Sequence, residues 1–218
     1  MKEIKMIRKY SVLICLVISV VLIGTASLFY PGGSLHNPNS VGFDWSKNFI
    51  SNLFRKTAIN GELNKSWIWA IVGMAFHSVG NGLFFLHMSK KFLSKHVAIV
   101  LKIVGIADML FSFMIVTPFH DIMVTLSATF SLIGLFYITI FILKTRLHLL
   151  KVFCIICLVI FYFTLYLYGS GDWGLLAIMQ KVTFVTSMLL ILSLEYFTTK
   201  QDFVKRTAIV TGIDATNR

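Results

Sequence analysis

Ala107-Asp108-Met109-Leu110-Phe111-Ser112, followed by Val116-Thr117-Pro118-Phe119-His120-Asp121, decides the fold. The first six residues place one carboxylate in the middle of a long apolar helical run. The second six end that run at a proline and put a His-Asp pair on the turn behind it. An ionisable group inside a membrane span is costly and marks a functional site by default. Working outward from this stretch, the apolar run continues on both sides well beyond the needs of a soluble core helix.

Of the 218 residues, 57% are hydrophobic and only 13% charged, with a mean hydropathy of +0.82. Soluble domains carry about 25% charged residues, so the chain reads as a membrane protein. Six runs reach the ~20 residues that a bilayer core requires: 11–30, 67–88, 97–118, 122–143, 150–168 and 174–197. The expected fold is an all-α bundle of six transmembrane helices forming one domain over 1–218, with a single long loop at 31–66.

The net charge of +11 is a topology signal and does not point to nucleic acid. Fourteen of the twenty Lys and Arg residues, among them Lys9, Lys90, Lys91, Lys144, Arg146, Lys205, Arg206 and Arg218, fall on the side that also holds both termini. By the positive-inside rule that side is cytosolic. Trp45, Trp67, Trp69 and Trp173 all fall on the opposite side, where amphipathic rings suit the interface. Residues 1–26 have the outline of a signal peptide ending in Gly24-Thr25-Ala26, but the apolar run continues through Leu28-Phe29-Tyr30 and is long enough to remain a span. Cys154 and Cys157 form a CxxC inside span 5, and with Cys15 they read as packing thiols.

In the loop, Asp44 is placed to cap a short helix whose Phe49, Ile50, Leu53 and Phe54 form an apolar stripe. Beside Arg55 and Lys56, such a helix suits the interface and would cover a pocket mouth. Span 2 sets Gly73, His77 and Asn81 on one face, and Gly80 and Gly82 allow close helix approach. Span 3 pairs Asp108 with Ser112. Span 4 carries Asp121, Thr125 and Thr129 along one face and Ser127 and Ser131 along another. Span 5 reads as a lipid-facing wall, and span 6 carries Gln180-Lys181.

At ~1.5 Å rise per residue, His77, Asp108 and Lys181 lie at similar depths between the midplane and the loop side. The expectation is a polar pocket open to that side, with Asp108 and Lys181 paired. His120 or His77 is the candidate acid/base and Asp108 and Asp121 its orienting carboxylates. Lys181 is the candidate anion holder, with Gln180, Asn81, Ser112 and Thr125 as further binding residues. His120-Asp121 also has a structural reading, Asp121 capping span 4. His77, Asp108, His120 and Asp121 include enough metal donors, but no HxxxH or HExxH spacing, so no metal site is assigned, and the sequence leaves the cofactor unknown.

Phe43-Asp44-Trp45, Asn48-Phe49-Ile50-Ser51-Asn52-Leu53, the Thr117-Pro118 to Asp121 turn and Gln180-Lys181 resemble an uncharacterised family of bacterial six-span membrane proteins, distantly related to the Frag/DRAM/Sfk group. The resemblance implies a bundle in the bacterial inner membrane and, through the Frag/DRAM/Sfk group, a role near lipid. This chain departs from the pattern at Phe54, where the family often has Gly, and at Thr125, near where it tends to have His. Three functions follow from the sequence. The first is binding or processing of a lipid head group. The others are a proton- or ion-coupled carrier and a structural subunit of a membrane complex.

Overall fold

The computed structural model describes residues 2–204, with side chains from residue 9 to 203. The basic residues Lys205, Arg206 and Arg218 lie outside the described residues. Six long helices account for the expected spans: α1 (Lys2–Leu28), α2 (Trp67–Ser89), α3 (Lys95–Met114), α4 (His120–Leu143), α5 (His148–Ser170) and α6 (Trp173–Phe197). A five-residue α7 (Lys200–Val204) follows, and a 3-10 turn (Ile50–Phe54) sits in the long loop. All six are long and apolar enough to cross a membrane, and the chain is a multi-pass integral membrane protein.

Span 3 ends four residues earlier than expected. The residue before a proline is biased away from helical geometry, and Thr117 leaves the helix and donates its hydroxyl to the Met114 carbonyl at 2.7 Å. At the other hairpin, Gly171 takes the left-handed conformation (φ +77°) that closes α5. Asp172 caps α6 by accepting the Leu175 N–H at 3.1 Å.

Small residues set the packing. A Cβ on Gly82 would meet Met109 Cβ at 2.8 Å and the Gly105 carbonyl at 2.9 Å, and one on Gly80 would meet Leu16 at 3.0 Å. Between helices in lipid, such close backbone approach is a main source of association energy. With glycines on two faces, α2 is clamped between α1 and α3. Helix α5 lies at the margin and leaves Tyr162, Phe163 and Tyr166 exposed, as a lipid-facing wall should. Cys15, Cys154 and Cys157 are buried thiols, and Cys157 Sγ contacts the Thr186 carbonyl at 3.7 Å.

The long loop folds back over one end of the bundle. Asp44 does not cap the 3-10 helix. It accepts the backbone N–H and hydroxyl of Ser46, at 2.8 and 2.6 Å, and its carboxyl is held below the usual range by those bonds first and by Lys47 after them. Asn52 takes the capping role, accepting the Phe49 N–H at 2.7 Å. Asn48 and Asn64, both fully buried, bind the loop to itself through the carbonyls of Gly33, Leu53 and Arg55. Ile50, Leu53 and Phe54 then pack with Ile23, Ala26, Tyr30 and Met74.

The far end of the bundle is tied by Lys91. Its ammonium donates to the carbonyls of Leu194 (3.1 Å) and Glu195 (2.7 Å) and to Thr198 Oγ1 (3.2 Å), capping the end of α6. Beside it, His87 Nδ1 lies 2.7 Å from Glu195 Oε1. Burial lowers the Lys91 pKa from its ordinary 10.5, against the opposing pull of Glu195 and Asp202. The unfolded chain therefore holds the Lys91 proton more tightly, and the lysine's contribution to stability rises as pH climbs toward 10.5.

Two predictions follow from the architecture. Lys91→Met removes the ammonium donor that three acceptors share, of which the Leu194 carbonyl keeps the Thr198 hydroxyl, and should cost about 1–3 kcal/mol. Thermal unfolding of the solubilised protein reads this loss, and the wild type should gain on the variant between neutral and alkaline pH. For orientation, single cysteines at the exposed positions Lys47 and Ser94 should label from outside and only after permeabilisation, respectively. The buried native cysteines keep the background low. The reverse pattern would invert the bundle.

Candidate functional site

Beneath the loop lies a cavity of about 220 Å³. Ile50, Ser51 and Phe54 of the loop form its roof. Helix α2 contributes His77 and Asn81, α3 Ser112, α4 His120, Ser127 and Ser131, and α6 Gln180, Thr183 and Ser187. Phe84, Phe85, Leu135, Leu190 and Ile191 also border it and supply apolar surface.

His77 and Asn81, one turn apart, bring ring Nε2 and amide Nδ2 to 3.1 Å. The His77 ring stacks on Phe184, centroids 4.5 Å apart, which fixes its orientation. Three buried polar atoms have no hydrogen-bond partner here: His77 Nδ1, Asn81 Oδ1 and Asp108 Oδ2. Such atoms cost about 1–3 kcal/mol each when left unpaired, and native cores hold few of them.

Asp108 does not pair with Lys181. Its side chain is fully enclosed behind the cavity wall, where the hydroxyls of Ser127 and Ser131 donate to Oδ1 at 2.9 and 2.8 Å. Lys181 is turned toward the loop. Its ammonium donates to the carbonyls of Asn48 and Ala177, and the Phe43 ring centroid lies 5.9 Å away. The two residues share a depth but not a direction, since Asp108 on α3 faces α4 while Lys181 on α6 faces the roof. Nor does His77 serve as partner to Asp108, so no carboxylate orients that histidine.

Gln180 fills two roles, lining the cavity and accepting the Ile50 N–H at 2.9 Å. Ser112 is buried and accepts from Ser78 Oγ at 3.2 Å. Thr125 is exposed and returns its hydroxyl to the Asp121 carbonyl at 3.0 Å, away from the cavity. Of the two polar faces on α4, the serine face points inward and the threonine face outward, because the serines answer Asp108.

His120 and Asp121 stand together, Nδ1 to Oδ1 at 3.0 Å. Asp121 is the second residue of α4 and not its cap; the capping position is Phe119, without a side-chain bond. His120 occupies a junction, bordering the central cavity, a side groove of about 350 Å³ and a surface vestibule. The groove runs along α4, α5 and α6, past Val124, Phe161, Leu165 and Leu176, to Tyr168 and Trp173. The vestibule holds Arg55 and Asp121. Among the described residues no group of three or more His, Cys, Asp or Glu is arranged to hold a metal ion.

Sequence reasoning missed Thr183 and Ser187, although Gln180, Thr183 and Ser187 recur at helical spacing along one face of span 6. It also missed Asn48 and Asn64, whose role as loop anchors has no local signature. Comparison with protein-family models, with curated proteins and with solved structures finds no match to this chain.

The Asp108 assignment makes a direct prediction. Ser131→Ala removes one of the two donors to the carboxylate and should cost about 1–3 kcal/mol. In a double-mutant cycle, Asp108→Asn and Ser131→Ala should be non-additive by about 0.5 kcal/mol or more, whereas Asp108→Asn and Lys181→Met should add within about 0.5 kcal/mol. Thermal stability of the solubilised protein measures both cycles.

Proposed function

We propose that the protein binds a membrane lipid or similar amphiphile, its polar head in the central cavity and its tail in the side groove. The observation that carries this reading is that the two spaces adjoin and share one set of bordering residues. Ser51, His120, Val124, Phe161, Gln180 and Thr183 border both. Concave apolar space with a few convergent polar groups is the usual form of a small-molecule site. Here the apolar arm follows the side of the bundle, where a lipid arriving in the membrane plane would enter.

The apolar end of the cavity argues against a coupled carrier. Phe84, Phe85, Leu135, Leu190 and Ile191 lie between its polar groups and the His87–Glu195–Lys91 cluster, so among the described residues the polar atoms form no relay across the bundle. With the loop side outward, the head would lie in the outer leaflet, and in a bacterial cell the membrane would be the inner one. His120, with Asp121 on its Nδ1, stands at the junction where a proton could be exchanged with a bound head group.

Ala128 borders both spaces and offers a direct test. Ala128→Trp should fill the junction and lower the lipid retained through purification about tenfold, read by native mass spectrometry. Val159→Trp, on the exposed face of α5, should leave retention unchanged. Equal retention in both variants would remove the groove from consideration. His120→Ala should retain lipid, which separates binding from any chemistry.

A further inference from the structure

From the hydrogen-bonding capacity of the cavity we infer that its ligand carries an uncharged, hydroxyl-bearing head, of the kind found in a diacylglycerol or glycolipid, and not a phosphate or an ammonium group. This rests on the amphiphile reading above and names the class of head group.

The argument starts from the His77–Asn81 pair. A neutral imidazole has one donor and one acceptor, and a carboxamide has two donors and one acceptor oxygen. With Asn81 Nδ2 donating to His77 Nε2, His77 Nδ1 is left as a donor and Asn81 Oδ1 as an acceptor, and both are buried without partners. If the amide is turned over, Nε2 donates to Oδ1, and the pair is left with Nδ1 as acceptor and Nδ2 as donor. Either way the pair offers a ligand at least one donor and one acceptor, the second amide N–H adding a further donor. A hydroxyl group matches both at once. A phosphate oxygen accepts only and would face the remaining acceptor. An ammonium donates only and would face the remaining donor.

Three serines of the wall agree. Ser127 and Ser131 commit their protons to Asp108, and Ser187 commits its own to the Phe184 carbonyl at 3.0 Å. All three present only lone pairs to the cavity, which suits a donating hydroxyl and opposes an anion. No Lys or Arg side chain lines the cavity among the described residues. Lys181, the cation expected there, is engaged by the loop and α6 carbonyls, and Arg55 lies in the vestibule beyond His120. Burying an anion without a paired cation is strongly unfavourable.

The test uses three probes with the same pair of eight-carbon tails: dioctanoylglycerol, dioctanoyl phosphatidate and dioctanoyl-dimethylammonium-propane, whose protonated amine carries an N–H donor. Each is titrated against the full-length protein in detergent, with the apparent Kd taken from the thermal shift. Dioctanoylglycerol should bind at least about tenfold more tightly than either charged probe. Asn81→Leu should weaken the glycerol probe selectively and shrink that margin. His77→Phe, which keeps the ring stack on Phe184, serves as the second variant should the first fail to fold. If a charged probe binds as tightly as the glycerol probe, the head-group assignment falls while the amphiphile reading stands. A glycerol preference unchanged in both variants would also overturn it, since the pair would not be the recognising element. If no probe binds at all, buried water is the partner of the pair and both readings fall together.

Discussion

The Asp108 carboxylate is fully enclosed, and in lipid no water can answer it. Its partners must come from within the bundle, and they come from one face of α4. That requirement fixes the rotation of α4: once Ser127 and Ser131 turn toward Asp108, Thr125 and Thr129 must turn away, and His120 at the head of the same helix is carried to the cavity junction. The polar lining is therefore a consequence of one buried carboxylate oxygen, Oδ1, which draws both serines toward it. The carboxylate itself stays behind the wall, where it takes up hydroxyl protons and sets the polarity of the surface in front of it.

The roof obeys the same constraint from the loop side. Loop backbone folded against a membrane bundle needs partners for its own N–H and C=O groups. Asn48 and Asn64 provide them from inside the loop, and Gln180 and Lys181 from α6. At Gly33, with φ at +85°, the chain turns in a conformation that only glycine adopts without strain, and a Cβ there would collide with the backbone of Asn60. Gln180 and Lys181 thus read as the beam that carries the roof, one of them also facing the cavity beneath it.

Hydropathy made the six helices legible, because each span is a long, predominantly apolar run with most charges gathered at its ends. Depth was legible too, since rise per residue converts sequence distance into height. Azimuth was not. Asp108 and Lys181 stand at similar heights, but their side chains leave α3 and α6 in different directions, and no single-chain pattern distinguishes pairing from turning apart. On α4 two polar stripes at helical spacing were equally visible, and only the position of Asp108 selects between them. The loop was misread at Asp44 because several side chains competed to cap the turn. Asn52 reaches the Phe49 N–H, while Asp44 is occupied by Ser46.

Glycine-mediated contact joins α1, α2 and α3 into a slab with almost no slack, whereas α4 meets α5 far more sparingly. The two halves of the bundle therefore differ in mechanical compliance. A bilayer squeezes an embedded protein unevenly with depth, and that squeeze acts on the compliant seam before it acts on the slab. Any lateral squeeze on the bundle would therefore be taken up along the groove of α4, α5 and α6 before it reached the more tightly packed wall that holds His77 and Asn81.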